Sequence, residues 1–226
     1  MTVGEAQRWN EQAERYDSVY DDAEGRGRLV HARMQTALEW LGDGPGRVLD
    51  AGMGGGRLVE ELAAHGWTVT GTDVSEAMVE LARKRVPELR ESLRVAPIEQ
   101  LPFDEGSFGA VTALGVVEFA DLPAALRELA RVLGPGGLAV VSWPNFGGLY
   151  TAWRGGVLYR IVRAVGRDAP PPARHPIAAS AFAAFLSDAG LHVERRAWLT
   201  PHGGRAGPRI GRLVAAQVVV AARKPA

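Results

Sequence analysis

The sequence contains no cysteine. That excludes a disulfide framework, a thiolate metal site and a cysteine nucleophile, and it fits a reducing compartment. No apolar run reaches the roughly 18 residues that a transmembrane helix needs. The opening stretch, MTVGEAQRWNEQAERYD, is polar and lacks the apolar core of a secretory signal. A cytoplasmic protein is therefore expected. There is no internal repeat and no G-x-S-x-G nucleophile elbow. None of the five histidines forms a pair at metal-ligand spacing, so no metal is expected. Net charge is also zero, but only in sum. Residues 1–146 carry 14 Lys+Arg against 23 Asp+Glu, leaving −9, and residues 147–226 carry 12 against 3, leaving +9. Such asymmetry suits an acidic partner, a membrane or nucleic acid, or simply a solvated arginine-rich face.

What is present is ordinary globular composition, 46% hydrophobic and 23% charged over 226 residues, enough to bury a core in one domain. The N-terminal segment 5–41 reads as two helices broken at Gly25–Gly27, with Trp9, Ala13, Tyr16 and Tyr20 on one face. After the Gly42–Gly46 break, strands and helices alternate. Strands are expected at 47–51, 67–72, 92–95, 110–114 and 138–143. Helices are expected at 58–65, 75–85 and 122–133, with Ser75 as an N-cap and Gly134-Pro135-Gly136-Gly137 ending the last. This order predicts an α/β fold with a doubly wound, mostly parallel sheet, whose ligands bind at the carboxyl ends of the strands. The tail reads as a helix at 178–189, a strand at 191–199, a Gly/Pro-rich loop at 201–211 and a strand at 213–222.

The first strand runs into Asp50-Ala51-Gly52-Met53-Gly54-Gly55-Gly56. Glycines here permit sharp turns and close ligand approach, and the free N–H groups of the next helix face the same place. The dinucleotide fingerprint fails, because its third glycine would fall on Arg57. D-x-G-x-G-x-G fits instead. A carboxylate inside the loop repels a pyrophosphate but attracts an ammonium or a sulfonium. Asp73 ends the second strand 23 residues after Asp50, the spacing at which an acid reaches ribose hydroxyls. Its alternative reading is a cap for the following helix.

The segments VLDAGMGGGRL at 48–58, TGTDVSEAMVELAR at 70–83 and IEQLPFDEGSFGAVTALGVVEFADLPAALRELARVLGPGGLAVVSWPN at 98–145 resemble the class I, Rossmann-like S-adenosylmethionine (SAM)-dependent methyltransferases. The likeness is to the small-molecule group that includes ubiquinone and menaquinone methyltransferases. It implies a seven-stranded sheet closed by an antiparallel C-terminal hairpin. It also implies a single domain with a helical cap at 1–42, a SAM-binding core at 43–146, a lid at 147–190 and the hairpin at 191–226. The activity implied is methyl transfer from SAM to a small-molecule acceptor, leaving S-adenosylhomocysteine.

The same resemblance implies that Gly52, Gly54 and Gly56 line the methionine and ribose part, with Asp50 beside the amino group. Asp73 takes the ribose hydroxyls, Val74 and Met78 flank the adenine, and Ile98 closes its other side. Leu114, Gly115 and Val116 form the floor, and Tyr16 and Tyr20 belong to a cap. One departure matters. Where the family has Gly-Asp-Ala-Glu, this chain has Ala96-Pro97-Ile98-Glu99, leaving the adenine amino group to backbone, Glu99 or water and predicting a cost in affinity.

An activated methyl donor needs little beyond alignment, so a base is required only for a protic acceptor. Glu118 after the fourth strand and His175 after the proline run 170–172 are the candidates. Segment 147–168 reads as a basic amphipathic helix, a lid or a peripheral membrane contact. A polyketide, quinone or lipid-like acceptor suits it. Competing readings are a catalytically silent SAM-binding module and a nicotinamide oxidoreductase. Nucleic acid is not expected as a substrate, and the chain is a monomer or a homodimer.

Overall fold

The computed structural model describes residues 3–22, 26–145, 149 and 178–226. Helix α1 (Val3–Asp17) continues through a 3-10 turn (Ser18–Asp21), and α2 (Arg26–Leu41) follows. The alternating region gives β1 (Arg47–Ala51), α3 (Arg57–Ala64), β2 (Thr68–Asp73), α4 (Glu76–Arg85), β3 (Leu93–Val95) and β4 (Phe108–Ala113), then α5 (Leu122–Val132) and β5 (Leu133–Pro144). The C-terminal part holds α6 (Ala179–Asp188), β6 (His192–Leu199), β7 (Arg205–Ala206), α7 (Pro208–Val214) and β8 (Gln217–Arg223).

The strands form one sheet in the order β3-β2-β1-β4-β5-β8-β6-β7. β1 to β5 pair in parallel, while β8 runs antiparallel to β5 and β6, and β7 antiparallel to β6. The sheet is therefore mixed and eight-stranded, one strand more than the resemblance implies. The extra strand and α7 occupy the segment expected to be a loop, so the last strand starts at Gln217 and not at residue 213. Two tertiary contacts order that segment. The Asn145 amide donates to the carbonyls of Arg212 and Ala215 at 3.2 and 3.0 Å, and Gly211 lies so close to Trp198 that a side chain there would clash. The glycines at 134–137 also differ from expectation. They sit inside β5, whose ladder slips between the Phe108–Leu133 and Ala110–Leu138 pairs, as an irregular stretch of strand can.

Alternation along each strand sorts side chains to two faces. Leu49, Val111, Ala139 and Ala222 are register partners in sequence and share a core with Leu126 and Leu129 of α5 and Phe182 and Leu186 of α6. Their neighbours Val48 and Ala110 face the other way, onto Leu38 of α2, Leu62 of α3 and Val79 of α4. Helices thus cover both faces, as the alternating order requires. Apolar residues at 122, 125, 126 and 129 give α5 its buried stripe. Asp121 caps it by accepting from the Ala124 N–H at 3.0 Å. Each buried leucine contributes about 2 kcal/mol by removal from water.

Candidate functional site

The chain leaves β1 toward β2 on one side, and β4 toward β5 on the other. At such a switch point the loops after β1 and β4 diverge and leave a crevice. A chamber lies there, with about 580 Å³ of empty space when the open solvent at its mouth is counted. Gly52, Met53 and Gly54 line it from the β1 loop, Asp73 and Val74 from the end of β2, and Met78 from α4. Ala96 and Ile98 follow β3, and Leu114, Gly115 and Val116 follow β4. Trp9, Tyr16, Tyr20 and Phe119 complete the wall.

The loop is shaped by close approach. Gly52 has φ +77°, and a Cβ there would fall 2.5 Å from Val116. Gly54, at φ +54°, has its Cβ direction open apart from Met78 Sδ at 4.0 Å. Its N–H donates to Asp73 Oδ2 at 3.0 Å, and the Ser75 N–H donates to Oδ1 at 2.9 Å. Asp73 therefore ties the glycine loop to the second strand. It does not cap α4, because Ser75 does so, accepting from the Met78 N–H at 3.2 Å. Burial raises the Asp73 carboxyl above its usual range, against the pull of the Ser75, Gly54 and Val74 backbone donors.

Asp50 lies deeper, 3% exposed, with the Thr112 hydroxyl donating to Oδ1 at 2.7 Å. Burial pushes its pKa up to about 7. Thr112 and Arg33 oppose that shift, and Asp73 reinforces it. Asp50 lines a second recess with Arg33, Val30, Met34 and Leu58, which shares Tyr20, Gly52, Met53 and Leu114 with the main chamber. Arg33 is also 3% exposed and lies so close to Gly115 that a side chain there would clash. Burial works against its charge, but Tyr16, Tyr20 and Glu118 outweigh it and the net shift is upward. Glu118 follows β4, 5% exposed, with Oε2 lacking a hydrogen-bond partner. Burial pushes it up to about 7, opposed by its own backbone N–H and by Arg33.

A clasp holds the cap. Asp17 at the end of α1 accepts from Arg57 Nε and Nη2 at 3.3 and 3.2 Å and from Arg85 Nη2 at 2.7 Å. Arg57 also reaches Asp21 at 2.7 Å and lies over the Tyr20 ring. Asn10 adds a contact with Ser75 at 2.7 Å.

Of the residues expected in the cofactor site, Tyr16, Tyr20, Gly52, Gly54, Asp73, Val74, Met78, Ile98, Leu114, Gly115 and Val116 meet in one chamber. Asp50 reaches it through the adjoining recess. Gly56, Pro97 and Glu99 do not line it. Gly56 turns the chain into α3 at φ +81°, where a Cβ would meet Ala82 at 2.8 Å. Glu99 Oε1 accepts from the Asp121 N–H at 3.0 Å and so supports the start of α5. His175 and all of the segment 147–168 except Leu149 lie outside the described residues. Sequence reasoning missed Arg33, Trp9, Met53, Ala96 and Phe119. For Arg33 a signal existed, since it stands between Leu29 and Ala37 at i, i+4 spacing on an otherwise apolar stripe. Among the described residues no cluster of His, Asp or Glu could hold a metal, and no helix is long and apolar enough to cross a membrane.

Residues 49–141 match the family described as "Methyltransferase domain". A ubiquinone/menaquinone biosynthesis C-methyltransferase of Geobacter sp. (strain M21) is 39% identical over 107 residues, 44% of this chain and 46% of the relative. A ubiquinone biosynthesis O-methyltransferase of Alkalilimnicola ehrlichii is 36% identical over 133 residues, 55% of this chain and 54% of the relative. The chain thus spans about half the length of the curated relatives it matches. The solved structure of Burkholderia thailandensis 1,6-didemethyltoxoflavin-N1-methyltransferase, titled with bound S-adenosylhomocysteine, superposes with a TM-score of 0.67 at 19% identity, covering 98% of this chain and 87% of that one. The glycine loop, its two acids and most of the chamber's lining, all but Trp9, Tyr16 and Tyr20, fall within residues 49–141, and over that stretch the chain is similar to the methyltransferase-domain family.

Proposed function

We propose that the chamber binds SAM and that the protein transfers its methyl group to a small-molecule acceptor. The observation that carries this reading is the placement of charge around the glycine loop. Asp50 and Asp73 supply negative charge and Arg33 positive charge within adjoining recesses. That set matches a ligand bearing an ammonium, a carboxylate and ribose hydroxyls. A pyrophosphate would meet two carboxylates. Asp73 is placed for the hydroxyls, Asp50 for the ammonium and Arg33 for the carboxylate. Bound SAM supplies a methyl group already activated on a sulfonium, so transfer is an in-line displacement needing alignment above all. Tyr16, Tyr20 and Trp9 exclude water from above. For a hydroxyl or amine acceptor, Glu118 is the base we assign, because it is buried, holds an unpartnered oxygen and stands in the chain between the lining residues Val116 and Phe119.

In this reading residues 1–42 form the cap, 43–146 the cofactor core, 147–190 the acceptor region and 191–226 the closing strands of one domain. The acceptor in this reading is a small organic molecule such as a polyketide, quinone or lipid-like intermediate, in keeping with relatives named for ubiquinone and menaquinone biosynthesis. Calorimetric titration of the purified protein with SAM, S-adenosylhomocysteine and NADH, with Asp73→Ala in parallel, tests it. Micromolar binding of the first two, lost in the variant, is expected. Tight NADH binding without SAM binding overturns the reading.

A further inference from the structure

The end of the chamber beyond Asp73 is built differently from its charged end. Val74 follows β2, Met78 stands on α4, Ala96 and Ile98 follow β3, and Trp9 and Phe119 complete an apolar lining. The two aromatic rings meet edge to face, with centroids 5.3 Å apart, so they form a continuous apolar wall. Among the described residues Asp73 is the only carboxylate or side-chain amide lining the chamber, and in the reading above its acceptor sites left over from the Gly54 and Ser75 N–H groups serve the ribose hydroxyls. Two neighbouring acceptors lie off the chamber wall. Neither Glu99, whose Oε1 accepts from the Asp121 N–H, nor Pro97, whose carbonyl accepts from the Gln100 N–H at 3.0 Å, lines it. Pro97 has no N–H, and the Trp9 indole offers only a donor.

A flat apolar slot closed by aromatic rings gains affinity from contact area and ring geometry. Discrimination between polar substituents needs a placed partner, whose loss leaves a buried group unpaired. On the reading that this chamber holds the adenosine of SAM, we propose that its base end selects a purine by shape and stacking and does not read the 6-amino group. The aromatic wall also offsets the affinity that the proline at 97 forgoes.

The test uses the full chain and two probes, S-adenosylhomocysteine and its 6-deamino analogue, which carries purine in place of adenine. Calorimetry is expected to give dissociation constants within about threefold of each other, since no buried partner is orphaned. Trp9→Ala is expected to weaken both about tenfold while leaving their ratio unchanged. Micromolar binding of S-adenosylhomocysteine with the deamino analogue about 30-fold weaker or worse means that a buried acceptor reads the amino group. That result overturns this inference and leaves the cofactor assignment standing. Binding of neither probe overturns both.

Discussion

Asp50, which we propose meets the ligand's ammonium, carries a cost to the fold. Its carboxyl is buried and its pKa is raised to about 7. Below about pH 4 it is protonated in folded and unfolded chains alike and changes nothing. Between there and pH 7 the unfolded chain releases the proton while the folded chain keeps it, so stability falls as pH rises. Above pH 7 the cost is constant, roughly 4 kcal/mol for a shift of this size. Asp50→Asn keeps an acceptor for the Thr112 hydroxyl and removes the ionisation. Denaturant unfolding of the ligand-free variant at pH 8 is expected to show greater stability than the parent, with the difference vanishing near pH 4. SAM affinity is expected to fall at least tenfold, since a charge-assisted contact is lost. Equal stability at both pH values would show that Asp50 ionises freely in the fold.

Asp50 and Asp73 were legible in the sequence because their chemistry is local, an acid at the end of a strand beside glycines. Arg33 was not, because its partners come from α1, β1 and the turn after β4, and only the fold brings these together. Pro97 and Glu99 failed as pocket residues for a related reason. Their position in the chain is right, but backbone direction turns them away.

Among the elements, α1 depends on the clasp. It packs on α4 and covers the chamber, yet its polar anchors are chiefly Asp17, Asp21 and Asn10. Partly exposed ion pairs contribute only about 1 kcal/mol each, so losing them frees the cap without unfolding the sheet. Asp17→Ala is expected to raise the dissociation rate of S-adenosylhomocysteine about tenfold, the equivalent of one such pair, while lowering the melting temperature by only a few degrees. Stopped-flow tryptophan fluorescence reports the step, with Trp9→Phe isolating the signal of Trp9 from that of the other five tryptophans. An unchanged rate would mean that α1 is held by its apolar face alone. Gly55→Ala offers an independent route, because a Cβ there would fall 2.3 Å from Asp17 Oδ1. The regular elements were legible from period, caps and breaks. β7 and α7 were not, because a run rich in glycine and proline has no period, and Asn145 and Trp198 order it from elsewhere in the chain.

At the scale of the whole molecule, the sheet fixes a site whose charges are stable only in company. The parallel half of the sheet brings Asp50, Asp73 and the post-β4 turn to one edge, and the helices of α1 and α2 bury Arg33 and the tyrosines over them. A mostly parallel, doubly wound sheet was readable from the alternation of elements, whereas its strand order and the number of strands on the antiparallel side were not. One consequence reaches the global stability. A ligand that binds only the folded chain, present at a hundred times its dissociation constant, adds about 2.7 kcal/mol, which raises the melting temperature of a domain this size by about 5–10 °C. The bound ammonium favours the ionised form of Asp50, so below pH 7 binding must also drive off a proton. The melting shift at fixed SAM concentration is therefore expected to grow between pH 6 and pH 8, against the falling stability of the ligand-free protein over the same range. In Asp50→Asn that growth is expected to flatten. Differential scanning fluorimetry across the pH series measures both slopes at once. A shift independent of pH in the parent protein would place the cofactor's ammonium away from Asp50 and return that carboxylate to a purely structural role.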